Sequence, residues 1–370
     1  MTSIPFLDLS PQNEPLTTDL EAAVSRVIRS GIFILGPEVE EFEESFARFC
    51  GVKHAVGLNS GTSALHLGLL ALGVGSGDEV ITVAHTFAAT VEAILYCGAK
   101  PVFADLDPDT LVMDVDQVEG VITDSTRAIL PVHLYGNPVD MGALMEVAGG
   151  YGIPVLEDAC QAHGALHRDR PIGGWGEAAA FSFYPTKNLG GLGEGGMVTT
   201  DDAEIAAQIR SLRSHGESSR YQHERLGFNY RMSAFQGAVL NVKLAYLEAW
   251  NGVRSHLAER YRNNLSGLED RGLRLLGVTP ESEPVVHLFV VLVDERERVM
   301  KELAEAGIQT RVFYPEPLYR QPAFAGLVDD DITLPVTEEI SEKALSLPLY
   351  PGMRIEEVDT VVTHLHEILA

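Results

Sequence analysis

Basic residues are scarce in this chain of 370 residues. Its 27 lysines and arginines face 53 aspartates and glutamates, for a formal net charge of −26. A surface of that sign repels phosphate backbones and anionic bilayers, so neither nucleic acid nor a membrane surface is an expected partner. The acidity reads instead as an ordinary solvated surface. Cysteine is equally sparse: Cys50, Cys97 and Cys160 are odd in number, far apart and set among apolar or small residues. That pattern argues against a disulfide framework or a zinc site and fits reduced, buried thiols in a cytoplasmic protein. Long apolar runs are also missing, since a stretch such as LHLGLLALGV is broken by glycine and histidine and is too short to span a bilayer. The opening residues MTSIPFLDLSPQNEPL carry no basic region followed by an apolar one, so they are not read as a leader. The chain has no G-x-x-x-x-G-K-[ST] phosphate loop, no internal repeat and no low-complexity linker.

What is present is a large apolar fraction, 45%, arranged in short runs that alternate with helical patterns. The runs HAVGL (54–58), EVITV (79–83), KPVFA (100–104), AILPVHL, PVLED (154–158), AAAFSFY (178–184) and GMVTT (196–200) read as strands. Continuously apolar strands separated by helices predict an α/β fold with a mostly parallel central sheet covered on both faces. Ahead of the sheet, Val39, Phe42, Phe46 and Phe49 share one face at helical spacing and are expected in the core. Beyond Ser233 one long helical pattern, SAFQGAVLNVKLAYLEAW, leads into a second. VVHLFVVLV (285–293), ERVMKELAEAG and IQTRVF then suggest a smaller α+β unit. The expected division is a large domain over 1–250 and a small one over 251–370, with the boundary inside helix.

Ligands of open α/β sheets bind beyond the carboxyl ends of the strands, and several chemically distinctive residues fall at those ends. NSGTS (59–63) joins the first strand to a helix. Its unpaired N–H groups suit a phosphate, with Gly61 permitting close approach and Thr62 adding a hydroxyl; an ordinary helix cap has the same composition. Asp158 ends PVLED, where a carboxylate can hold a metal or the cationic nitrogen of a ring, or simply cap the next helix. His163 is placed either to pair with that carboxylate or to sit satisfied in the core. Lys187 follows an apolar run and precedes a glycine-rich loop, FSFYPTKNLGGLGEGG. Desolvation there would make its neutral amine a nucleophile, unless it is a surface lysine. The glycines behind it would let a bulky ligand lie against the backbone. Phe87, in HTFAAT, offers either an aromatic face for a ring or a core side chain. A phosphate nest, an aspartate for a ring nitrogen and a desolvated lysine together match pyridoxal 5′-phosphate, with Lys187 forming an imine with its aldehyde.

The motifs NSGTSALHLGLLALGVGSGDEVIT, PVHLYGNPVDM, VLEDACQAHGA, FSFYPTKNLGGLGEGGMVTT and LGFNYRMSAFQGAVL occur in that order. With FLDL and SGIFILGPEVEEFE before them and SLPLYPGM after them, they resemble the DegT/DnrJ/EryC1/StrS aminotransferases over nearly the whole chain. The resemblance implies an aspartate-aminotransferase-like fold and a pyridoxal-phosphate transaminase acting on a nucleotide-linked keto sugar. Its amino donor would be an amino acid, expected to be glutamate, and carbon 3 of the sugar is favoured slightly over carbon 4. The rivals are transamination of a cyclitol ketone and a non-catalytic sensor that keeps the fold. By the same resemblance Lys187 is the imine lysine and proton shuttle. Asp158 faces the pyridine nitrogen, Gln161 lies near the ring hydroxyl, and Phe87 stacks on the ring. Gly61, Thr62 and Ser182 bind the phosphate, and Asn229 reaches it from the other subunit of a homodimer. Lysine at 187 favours transamination, because relatives that dehydrate sugars carry histidine there. Tyr319 stands where many relatives have histidine, and His85 occupies a variable position that can reflect substrate choice.

Overall fold

The computed structural model describes residues 3–328 and 332–370. Seven of the apolar runs pair into one sheet: β1 (His54–Leu58), β2 (Glu79–Thr82), β3 (Lys100–Phe103), β4 (Thr126–Ile129), β5 (Leu156–Asp158), β6 (Ala178–Ser182) and β7 (Gly196–Thr200). Their order is β3-β2-β4-β5-β6-β7-β1, with β4 joined to β5 through the parallel bridges Ile129–Val155 and Val132–Asp158. Pairing is parallel from β3 to β6, and only β7 runs against its neighbours.

Side-chain alternation along each strand divides the core into two layers. Ala179 and Phe181 of β6 join Phe42, Phe46 and Phe183 on one face of the sheet. Ala178 and Ala180 join Val56, Leu58, Leu156 and Val198 on the other. Phe46 meets Phe181 and Phe183 edge-on, with centroids 4.9 and 5.3 Å away. The helix Pro37–Cys50 thus clamps the aromatic run that leads to Lys187, as its helical periodicity predicts, while Phe49 is only partly buried.

The C-terminal unit is a three-stranded antiparallel sheet, β8 (Leu273–Leu275), β9 (Phe289–Val293) and β10 (Ala344–Leu347), in the order β8-β9-β10. Its core also takes in the helices Leu247–Leu265, Arg296–Glu305 and Ile355–Ile368. Two segments differ from expectation. The single helix expected over 233–250 is two, Ala234–Leu244 and Leu247–Leu265, because the N–H of Tyr246 bonds to the carbonyl of Lys243 in a tight turn. No glycine or proline marks this break, so periodicity cannot reveal it. Only Phe289–Val293 of VVHLFVVLV is a strand; the N–H groups of Val285 and His287 instead bond to the carbonyls of Gly136 and Tyr135. This detour carries His287 toward the strand ends of the main sheet.

Candidate active site

A cavity of about 680 Å³ opens where β1, β5 and β6 end, a volume typical of small-molecule sites. Gly61, Thr62, Phe87, Asp158, Gln161, Ser182 and Lys187 all line it. Their convergence follows from local rules. On β5 the alternation of side chains separates two adjacent acids. Glu157 turns into the protein, where its carboxylate accepts the N–H groups of Gly173, Trp175 and Gly176 at 2.7–3.0 Å and meets His133. Asp158 turns to the cavity. Its Oδ2 accepts the hydroxyl of Thr90 at 2.8 Å, and its Oδ1 accepts the N–H of Cys160 at 3.2 Å. On β6 the same alternation buries Phe181 and Phe183 and leaves Ser182 on the cavity side.

Ser60 caps the helix Gly61–Ala71, its hydroxyl accepting the N–H of Ser63 at 3.1 Å. NSGTS is therefore a helix cap, and the capped turn itself borders the cavity at Gly61 and Thr62. The N–H groups of a first helical turn have no acceptor within the helix. Packing around Gly61 is tight: a Cβ there would lie 2.7 Å from Cβ of Ser182 and 3.2 Å from Sγ of Cys160.

Lys187 is half-buried in the cavity wall. Burial pushes its amine below the ordinary lysine value, against the opposing pull of Cys160 and Asp158. The glycines that follow do not make room for a ligand, contrary to expectation. A Cβ on Gly190 would lie 2.2 Å from the carbonyl oxygen of Pro185, one on Gly191 2.5 Å from Oε1 of Gln236, and one on Gly196 2.1 Å from the carbonyl oxygen of Ser60. The protein itself fills those spaces. Of the stretch 188–196, only Glu194 lines the cavity.

Phe87 is 57% exposed, which removes the core reading, and its ring stands 6.2 Å from that of Tyr314 across the cavity wall. Gln161 accepts the N–H of Tyr135 at 2.7 Å. Asn229 does not line the cavity; it is exposed, and its Oδ1 accepts from Arg231 at 2.8 and 3.1 Å. His163 does not meet Asp158. Its Nε2 bonds to the carbonyl oxygen of Ser182 at 2.8 Å, and burial holds the ring neutral, its pKa pushed down to about 3. His85 is buried between Tyr135 and Ser341, outside the cavity lining. Tyr319 is also outside it, donating to Glu338 at 2.8 Å. Cys160 departs from the expectation of buried thiols, being partly open to the cavity.

Thr90, Tyr314, His287, Arg254 and Arg311 also line the cavity, and sequence reasoning misses them. Thr90 lies within HTFAAT and is within reach of motif reading; the other four carry no local signature. His287 illustrates why. The carbonyl of His163 accepts from Nδ2 of Asn251, Oδ1 of Asn251 accepts from Nδ2 of Asn188, and Oδ1 of Asn188 faces Nδ1 of His287 at 3.0 Å. A carbonyl oxygen at the end of this relay puts the proton on Nδ1 and leaves Nε2 with its lone pair. Burial and the charges of Lys187 and Arg254 keep that imidazole neutral.

These residues fit pyridoxal phosphate. A tightly packed helix start with Ser182 beside it suits a phosphate, the desolvated amine of Lys187 an aldehyde, and Asp158 a ring N–H. Among the described residues no group of three or more His, Cys, Asp or Glu is placed to hold a metal ion, and no helix is long and apolar enough to cross a membrane.

Comparison with known proteins points the same way. Residues 15–366 match the model of the DegT/DnrJ/EryC1/StrS aminotransferase family. A dTDP-3-amino-3,4,6-trideoxy-α-D-glucose transaminase of Streptomyces venezuelae is 45% identical over 364 residues, covering 98% of this chain and 96% of that protein. The crystal structure of DesV from the same organism, in complex with a ketimine intermediate, superimposes with a TM-score of 0.97 at 44% identity, covering 100% of this chain and 99% of that one. NtdA of Bacillus subtilis, with bound cofactor PMP, gives a TM-score of 0.93 at 34% identity, covering 100% and 86% of the two chains.

Proposed function

The chain belongs to the DegT/DnrJ/EryC1/StrS aminotransferase family of pyridoxal-phosphate sugar aminotransferases, and from that premise we propose that it moves an amino group from L-glutamate to carbon 3 of a nucleotide-linked 6-deoxy keto sugar. The observation that carries this reading is the meeting of Lys187, Asp158 and the Gly61 helix start in one cavity. Similarity to a transaminase named for a 3-amino sugar supports the choice of carbon.

Pyridoxal phosphate, when bound, supplies an aldehyde that takes up the amine and a ring that withdraws electrons from the reacting carbon. The chain's own residues do the rest. Lys187 would hold the cofactor through its amine and would supply the group that moves the proton at the reacting carbon. Its lowered pKa keeps a larger share of the amine free to accept a proton at neutral pH. Asp158, fixed by Thr90 and the Cys160 N–H, would keep the ring nitrogen protonated. Gly61, Thr62 and Ser182 would hold the phosphate, and Phe87 and Gln161 would hold the ring. Asn229, exposed in the single chain, would complete the phosphate site of a symmetric partner subunit.

The test is an incubation of cofactor-loaded enzyme with L-glutamate and dTDP-linked 3-keto and 4-keto 6-deoxy sugars, with products assigned by NMR. Multiple turnovers of 2-oxoglutarate with nitrogen on carbon 3 are expected. Amination confined to carbon 4 would refute the regiochemistry, and failure with every sugar would refute the substrate class.

A further inference from the structure

Arg254 takes no part in those steps. It projects from the helix Leu247–Leu265, is only 1% exposed and lines the cavity. Its Nη1 donates to the carbonyls of Val286, His287 and Leu349 at 3.2–3.3 Å. Its Nε, equally buried, has no partner among the described residues. Among the described residues no acid offsets the charge, and burial alone pulls its pKa down to about 10. Buried guanidinium groups are ordinarily paired with a carboxylate. Here the described residues supply backbone carbonyls to Nη1 and nothing to Nε.

The cavity as a whole has the same bias. Lys187, Arg254 and Arg311 line it against Asp158 and Glu194, three cations to two acids, in a chain with 27 basic and 53 acidic residues. His287, whose carbonyl Arg254 holds, is kept neutral and so adds no charge of its own.

We infer that the Nε–Nη2 edge of Arg254 binds the α-carboxylate of the amino-acid donor. The inference rests on the transaminase reading of the site. A planar guanidinium edge matches a carboxylate in bidentate fashion. Lys187, Arg254 and His287 line the same cavity, and Arg254 holds the carbonyl of His287, so the guanidinium and the reactive amine share one pocket. An α-amino acid carries its carboxylate on the reacting carbon, so that anion must come to rest close to Lys187. The diphosphate of a sugar nucleotide lies several bonds from the reacting carbon and is bulky for a fully buried partner.

The experiment compares the cofactor-loaded full chain, wild type and Arg254→Gln, with Arg254→Lys as a variant that keeps the charge and loses the fork. The donor half-reaction is followed by absorbance with L-glutamate and with its 1-methyl ester, whose α-carboxyl is blocked. Binding of maleate, a non-reacting dicarboxylate, is measured by calorimetry. The wild type should prefer the acid over the ester by about 30-fold or more, and Arg254→Gln should reduce that preference to about threefold or less. Maleate should bind about tenfold more weakly to the variant, while the KM for the keto sugar stays within about twofold. A purely structural arginine would depress both half-reactions together and leave the acid-to-ester ratio intact. An unchanged ratio or an unchanged maleate affinity in Arg254→Gln overturns the assignment. Should that variant fail to fold, Arg254→Lys decides by the same ratio. A wild type that converts no amino acid would sink the transaminase reading, and maleate binding would still test the carboxylate site.

Discussion

The two walls of the cavity are built by different means. The strand-end wall, Gly61, Asp158 and Ser182, sits at the ends of hydrogen-bonded strands and the start of a capped helix. Its acid is held in place by protein donors: Asp158 takes Thr90 and Cys160. The opposite wall is gathered from Phe6, Arg254, His287, Arg311 and Tyr314, which come from distant helices and loops. Among the described residues its buried guanidinium has no acid partner and its Nε no acceptor. The contrast suggests a division of labour. The first wall is finished by the protein and suited to a resident group, and the second keeps an unmet demand that a transient ligand can satisfy.

The sharpest way to break this contrast is at Lys187, which lines the same cavity. Lys187→Ala should lower turnover by about 10³-fold or more and abolish covalent retention of the cofactor, read by borohydride trapping and intact-mass measurement. Trapping that survives in the variant would place the reactive amine elsewhere. A smaller effect belongs to the strand-end wall alone. In Gly61→Ala the added methyl meets Ser182 at 2.7 Å, an overpacking expected to weaken cofactor binding by about 5- to 100-fold. Fluorescence titration of cofactor-free protein would read this, and an unchanged Kd would separate Gly61 from the phosphate site.

The last test, on stability and not on the site, is a control for Arg254. Lys243 is also a buried cation, 4% exposed and without an ion pair among the described residues, but it faces the ring of Trp250 at 5.8 Å and lies outside the cavity lining. Burial lowers its pKa from 10.5 to about 8. The folded chain therefore pays to keep the proton below pH 8, and the penalty fades as pH rises toward 10.5, where the unfolded chain also releases it. Lys243→Met should raise stability at pH 7, by at most on the order of 3 kcal/mol, and should flatten the rise in stability between pH 8 and 10.5. Urea unfolding at several pH values measures both. A destabilised variant would show that this ammonium has a partner after all, and that a buried cation in this fold is not by itself a sign of ligand demand.

Much of the first wall is legible in the order of residues. Strand alternation and helix starts are local, so pattern places NSGTS, PVLED and FSFYPTK at strand ends, and Gly61, Asp158, Ser182 and Lys187 do line one cavity. The resemblance to a known family names the same residues. Local reading fails where a feature answers two demands at once. The glycines after Lys187 look like space for a ligand, yet they admit Pro185, Gln236 and Ser60. His163 lies close enough in sequence to pair with Asp158, but β6 brings the carbonyl of Ser182 to it instead. Glu157 and Asp158 are both carboxylates, and only the face that each takes on β5 decides which one reaches the cavity.

The layering of the main sheet, the end of it that carries chemistry and the lysine that would react are all written into local sequence. They follow from side-chain periodicity and from the few residue types that suit phosphate, ring nitrogen and aldehyde. The opposite wall is instead a product of tertiary packing. Arg254, His287 and Arg311 belong to no common motif, and the tautomer of His287 depends on a relay through Asn188 and Asn251 to the carbonyl of His163. The hydrogen bonds of that relay join residues 63, 88 and 99 positions apart, and no spacing rule reaches so far. The last of them, His287 to Asn188, forms where residues 285–288 detour toward Tyr135 and Gly136.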